Sequence, residues 1–235
     1  MSGAVNTTSA PVDPDAPGWF GKIATLGDFA QRRLPPEFIR IGDDWLSRGM
    51  SATREQLGER WLDTYLTAPV IRFAWAPGVA GTCWWFGLLM PSCDSVGRYF
   101  PLLIAQRRVK PPLDRIAIDH LEAWYDHLAR AATQTLSEQS SVDAFETTLG
   151  TAPPWPTPGG PARLTAQATG DGSHYRLAPR ASLNRWLNAM AVEDLHARFA
   201  GCTIWWNGGD ATREATASIV TGLPDGVGFA RMLSG

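Results

Sequence analysis

Four side chains in one short polar stretch could do chemistry: Ser92, Cys93, Asp94 and Arg98, within Pro91-Ser92-Cys93-Asp94-Ser95-Val96-Gly97-Arg98. Cys93 would be a nucleophile if its charged neighbours favoured the thiolate, and Ser92 would need a base to activate it. A plainer reading pairs the Asp94 carboxylate with the Arg98 guanidinium in a salt bridge that closes the loop. A third makes the stretch a binding lip, because functional residues concentrate on loops held by rigid scaffolds. Upstream, Lys22, Asp28, Arg32 and Arg33 are the charges of the first structured segment. Either Asp28 caps a turn that Arg33 anchors, or Lys22 and Arg33 join the lip as an anion or partner site. The second arrangement requires the first strand to lie beside the lip.

Other chemistry lacks its residues. The sequence has no GxSxG elbow, no GxxxxGK[ST] phosphate loop and no HExxH zinc helix. Asp210 and Glu214 have no third ligand nearby, and no carboxylate cluster has metal spacing. His120 and His127 stand seven apart on a helical pattern, roughly 10 Å of rise, too far to share a metal unaided. Cys83, Cys93 and Cys202 are too few and too scattered for a disulfide framework or a CxxC site, and suit a reducing compartment. No metal and no cofactor is expected.

The lip needs a scaffold, and the sequence supplies one on both sides of it. Trp84 to Met90 and Tyr99 to Ala105 are continuous apolar runs of strand length, the pattern of strands covered on both faces. Pro91 ends the first, and Gly97 permits a positive φ in the crossing, so a central hairpin is expected. Trp19 to Ala24 and Val70 to Ala76 read as further strands. Pro35-Pro36 opens a helix through Gly49, and a second helix is expected from Ser51, with Thr53 and Gln56 spaced as a capping box. Asp114 to Leu136 has the periodicity of a long amphipathic helix, and Ser141 caps a short one to Leu149.

Gly150 to Pro161 is proline-rich and reads as an internal linker near 150–162, with Trp155 pinning it to the body. Beyond it come two strands about Gly170-Asp171-Gly172, a helix from Ser182 to Phe199, strands at Cys202 to Trp206 and Ala217 to Thr221, and a closing helix from Asp225 to Leu233. Residues 1–17, with hardly any bulky apolar side chain, are expected to be a flexible tail. The remainder, 18–235, reads as a single domain.

Composition narrows the function classes. The 235 residues include 11 Trp and are 44% apolar, enough for a sizeable core, while 18 Pro and 23 Gly demand many turns. The net charge of −2 provides no global field for nucleic acid or an anionic membrane. The basic run Gln106 to Lys110 reads as a solubilising strand end. No apolar run is long enough to span a bilayer and the N-terminal residues do not form a secretory signal, so a cytoplasmic protein is expected.

The motifs then meet a known pattern. Leu89-Met90-Pro91-Ser92, Asp94 and Val96-Gly97-Arg98-Tyr99-Phe100-Pro101-Leu102 resemble the signature of the TagF family of type VI secretion-associated proteins. So do Gly18-Trp19-Phe20-Gly21-Lys22-Ile23, Gly27-Asp28-Phe29, Arg33-Leu34-Pro35 and Trp61 to Pro69 with Arg72-Phe73, in the same order. Trp205-Trp206 before a glycine turn is similar to the family's C-terminal part. Cys93 departs from an apolar position of the family, and Ser95 stands where a second basic residue is usual.

The resemblance implies a three-layer α/β/α sandwich, which agrees with the α/β pattern and the mixed central sheet argued from the mixing of strands and helices. It also implies a cytoplasmic, non-enzymatic, post-translational repressor of type VI secretion. Such a protein would bind the forkhead-associated scaffold protein of a threonine-phosphorylation pathway. On that reading Lys22, Asp28, Arg33, Ser92, Asp94 and Arg98 are the candidate partner-binding residues. The alternatives are a hydrolase or phosphatase-like enzyme using Cys93 or Ser92, and a structural accessory subunit of the machine. The sequence leaves the oligomeric state open.

Overall fold

The computed structural model describes residues 16–109, 111, 115–137, 139–155, 165–169, 172–176, 183–208 and 214–234. The sequence's N-terminal tail up to residue 15, the latter part of the proline-rich linker, the Gly170-Asp171 turn, the Ser182 cap and Asp210 lie outside them.

Seven strands form one sheet: β1 (Gly18–Gly21), β2 (Ala30–Arg32), β3 (Ile71–Trp75), β4 (Trp84–Met90), β5 (Leu102–Arg108), β8 (Cys202–Asn207) and β9 (Thr216–Thr221). Their order is β2-β1-β5-β4-β3-β8-β9. Every neighbouring pair is antiparallel. The expected mixed sheet is therefore corrected to an antiparallel one. A parallel neighbour needs a crossover that returns the chain in the same sense, and each connection between neighbouring strands here reverses it. A separate hairpin pairs β6 (Thr165–Thr169) with β7 (Gly172–Arg176).

The continuous apolar run of β4 is buried at all seven positions, because the sheet is packed on both faces. Alternation sorts its side chains. Trp85 and Leu89 join Phe73, Trp75 and Leu103 in one cluster, completed by Phe38, Trp45 and Leu46 of α1 (Pro36–Leu57), Trp61 and Tyr65 of α2 (Trp61–Leu66), and Phe229 and Leu233 of α6 (Gly226–Ser234). Trp84, Phe86, Leu88 and Met90 face the other cluster. There they meet Trp124 and Leu128 of α3 (Arg115–Gln134) and Phe145 and Leu149 of α4 (Val142–Gly150), with Leu195 of α5 (Leu183–Arg198) against the cluster. Each large side chain removed from water contributes on the order of 1.5–3 kcal/mol, so the six large side chains of β4, all buried, make it the best-anchored strand next to the lip.

Two expectations about helices change. The helix expected to end at Gly49 runs unbroken to Leu57. Gly49 is there for packing: a Cβ at this position would lie 2.6 Å from the Phe229 ring, so its missing side chain lets α6 lie against α1. Thr53, read as a cap, is mid-helix; its hydroxyl donates to Gly49 and Met50 carbonyls at 2.9 and 3.0 Å and accepts from Trp61 Nε1 at 3.2 Å. By contrast, Ser141 does cap α4, accepting from the Ala144 amide at 3.1 Å.

Trp155 packs on Phe86 and Trp124, with ring centroids 4.7 and 5.1 Å apart, and holds the described part of the linker to the body. His127 Nε2 sits 2.7 Å from the Thr148 carbonyl and ties α3 to α4. Among the described residues no helix is long and apolar enough to cross a membrane.

Candidate functional site

β4 and β5 pair from Trp84↔Arg108 to Met90↔Leu102, so the lip is an eleven-residue loop, 91–101, wider than the expected crossing. The second apolar run enters the ladder three residues late because Pro101 precedes it and Tyr99 forms an isolated bridge with Cys93. Inside the loop Asp94 makes a tight turn: its carbonyl accepts from Gly97 N at 3.0 Å and its amide donates to the Arg98 carbonyl at 3.1 Å. Gly97 has φ 79°, the left-handed conformation such a turn needs and glycine adopts without strain.

Asp94 is the hub of this loop, and its side chain is buried. Oδ2 accepts from Lys22 Nζ at 2.8 Å and from Arg98 Nε at 2.7 Å. Oδ1 accepts from the amides of Val96 at 3.1 Å and Arg98 at 2.9 Å. A carboxylate offers about four acceptor sites, and all are used. Burial pushes the carboxyl up, but Lys22, Arg98 and the two amides outweigh it and hold Asp94 well below the usual carboxylate range. Near neutral pH it is therefore charged, with its acceptor sites taken by groups of the protein itself.

Ser92 is equally committed. Its hydroxyl donates to the Lys22 carbonyl at 2.8 Å, its amide donates to the Tyr65 hydroxyl at 2.9 Å, and that hydroxyl donates back to its carbonyl at 2.8 Å. Burial pushes the Tyr65 phenol well above its ordinary value, against a smaller opposing effect of the Ser92 backbone. Cys93 is half-buried and sits in the bridge to Tyr99. Among the described residues no three His, Cys, Asp or Glu side chains could hold a metal.

The first strand does lie beside the lip. Lys22 follows β1 directly, and its buried ammonium also stands 4.9 Å from the centre of the Phe29 ring. The loop after β1 is stitched to the lip by Ser95 N to the Leu26 carbonyl at 2.8 Å and Arg98 Nη2 to the Gly27 carbonyl at 2.5 Å. Asp28 is exposed on this loop, where its Oδ1 accepts from the Phe29 amide at 2.8 Å.

Arg33 is elsewhere. It sits beyond the Gly18 end of β1 whereas Lys22 follows the Gly21 end, roughly 13 Å of strand apart. There, at φ 59°, it donates to the Pro17 carbonyl through Nε at 3.2 Å and Nη2 at 2.8 Å and pairs with Glu146 of α4. Trp19 Nε1 donates to the same carboxylate at 2.5 Å. Arg33 anchors the start of the fold, not the Gly27-Asp28 turn, and is not gathered with the other candidates.

The two joined loops thus turn Lys22, Ser92 and Asp94 inward and leave a small ridge outside. It consists of Asp28, Phe29 at 52% exposure, Val96 at 69% and the Arg98 side chain at 57%. Sequence reading missed Phe29 and Val96 as surface residues and Tyr65 as the clamp. Phe29 had a usable signal, an aromatic beside the Gly27-Asp28 turn; Tyr65 looked like one more member of an apolar helix face.

The family model for the TagF N-terminal domain, type VI secretion system-associated, matches residues 18–152, from β1 through α4 and more than half of the chain. The chain belongs to the TagF family. The crystal structure of PA0076 from Pseudomonas aeruginosa PAO1 is similar over 93% of this chain and 94% of that one, at 33% identity and a TM-score of 0.71. No curated protein matches. Both the clamped lip and the Arg33–Glu146 anchor fall within the matched TagF residues, so this family segment carries the ridge together with the framework that fixes it.

Proposed function

We propose that this TagF chain is a non-enzymatic, cytoplasmic, post-translational repressor of type VI secretion. It acts by binding the forkhead-associated scaffold protein of the threonine-phosphorylation pathway with the ridge formed by Asp28, Phe29, Val96 and Arg98. The observation that supports a contact surface is the state of Asp94. Its two oxygens are saturated by Lys22, Arg98 and two amides, which supports reading the charged cluster as the frame of a loop. Exposed apolar groups beside one arginine suit a protein interface, whose contact centres favour aromatic residues and Arg.

In this arrangement Lys22, Ser92 and Asp94 hold the ridge and do not touch the partner, and Arg33 has no part in it. Affinity purification of the tagged chain from cells with the secretion system switched off tests the proposal. The scaffold protein should co-purify with the free chain. Recovery of assembled secretion components without the scaffold would instead favour a structural subunit.

A further inference from the structure

Among the described residues the outer edge of β9 is unguarded, and the opposite edge of the same sheet is not. β9 pairs with β8 on one side only, and among the described residues no strand lies on its other side. Its six residues, Thr-Ala-Ser-Ile-Val-Thr, include no charge and no proline, and Ile219 at the centre is 58% exposed. Sheet edges left open to solvent are ordinarily kept short or blunted by charge, bulges or proline. The β2 edge obeys this: it is three residues long, carries exposed Arg32 and is soon followed by Pro35.

The backbone register says which groups face outward. Gly222 N donates to the Gly201 carbonyl at 2.7 Å, which makes that a hydrogen-bonded pair. Alternation along the antiparallel ladder then directs the amides and carbonyls of Val220, Ser218 and Thr216 toward β8. Those of Ala217, Ile219 and Thr221 point away from it. A two-fold axis perpendicular to the sheet and passing beside Ile219 would set Ile219 opposite Ile219 and Ala217 opposite Thr221. Every outward donor and acceptor on both strands is then matched. Such a pairing sets the central residue against its own copy, so a charged centre would repel itself and an uncharged one does not. The closed two-fold arrangement is the commonest among homo-oligomers.

We infer that the occupant of this edge is a second copy of the chain, paired antiparallel through β9 and β9 so that two seven-stranded sheets become one. Sedimentation over micromolar to near-millimolar concentrations tests it. The mass should rise toward twice the 25.6 kDa of the chain, and Ile219→Lys should hold the protein at the monomer mass with an unchanged circular dichroism spectrum. A second measurement fixes the register. Facing residues of a hydrogen-bonded pair have Cα atoms about 5.5 Å apart, within disulfide reach. Oxidised Ile219→Cys should therefore form a covalent dimer, while Val220→Cys, which would face Ser218, should cross-link no more than wild type. A monomer at every concentration would overturn the inference and leave the edge to an extended segment of some other protein. A dimer that survives Ile219→Lys and gives no Ile219→Cys cross-link would overturn it as well.

Discussion

Lys22 Nζ lies 2.8 Å from Asp94 Oδ2, both side chains almost wholly buried and 72 residues apart in sequence. One ion pair therefore fastens the loop after β1 to the loop between β4 and β5. Arg98, four residues along, adds a second cation to the same oxygen from the solvent side.

Breaking this pair from either side should destabilise the fold, since removing one partner strands the other as a buried charge. Lys22→Met and Asp94→Asn are both expected to lower the urea midpoint, and Asp28→Asn, at an exposed position, to leave it unchanged. Chemical denaturation of the three variants checks the order.

The pair also sets a pH dependence. The Asp94 pKa is lowered on folding, so its contribution to stability is complete above the unfolded carboxylate value of about 4 and is lost as pH falls below it. Tyr65 has the opposite sense: its raised pKa favours the native state below about pH 10, and that contribution drains away as pH climbs further. Thermal unfolding from about pH 2 to about pH 11, a range that spans both ordinary values, should show an acid limb that flattens in Asp94→Asn. The alkaline limb should flatten in Tyr65→Phe.

Tyr65→Phe removes the hydroxyl that both receives the Ser92 amide and binds the Ser92 carbonyl. Leaving those buried groups short of a partner should cost about 1–3 kcal/mol. Equilibrium unfolding measures it.

Gly49→Ala would raise helix propensity by about 1 kcal/mol, yet its Cβ would meet the Phe229 ring at 2.6 Å. Overpacking of about 1–3 kcal/mol should win, and Phe229→Leu should recover part of the loss. A double-mutant cycle reads the coupling directly.

Much of this was legible in the chain. The bounds of β4 follow from an apolar run closed by Pro91, and the Asp94–Arg98 contact from their four-residue spacing. The membership of the family was legible in motifs that run from Gly18 to Leu102. Strand direction was not, because composition marks a strand as covered on both faces without saying which way its neighbours run. Nor could periodicity distinguish Gly49 as a packing site from Gly49 as a helix end; that depends on Phe229, far along the chain. The inward turn of Lys22 and Ser92 was hidden for the same reason, since both look like ordinary surface residues until β1 is laid against the lip.

The ridge itself is tested most directly by calorimetric titration of the forkhead-associated scaffold protein with wild type, Val96→Asp/Arg98→Ala and Arg33→Ala. Truncating a hot-spot residue at the centre of an interface costs about 2 kcal/mol or more, so the double variant should bind at least about tenfold more weakly while keeping its far-ultraviolet spectrum. Arg33→Ala, at the other end of β1, should bind as wild type does. Full-strength binding by a folded Val96→Asp/Arg98→Ala protein would contradict the account.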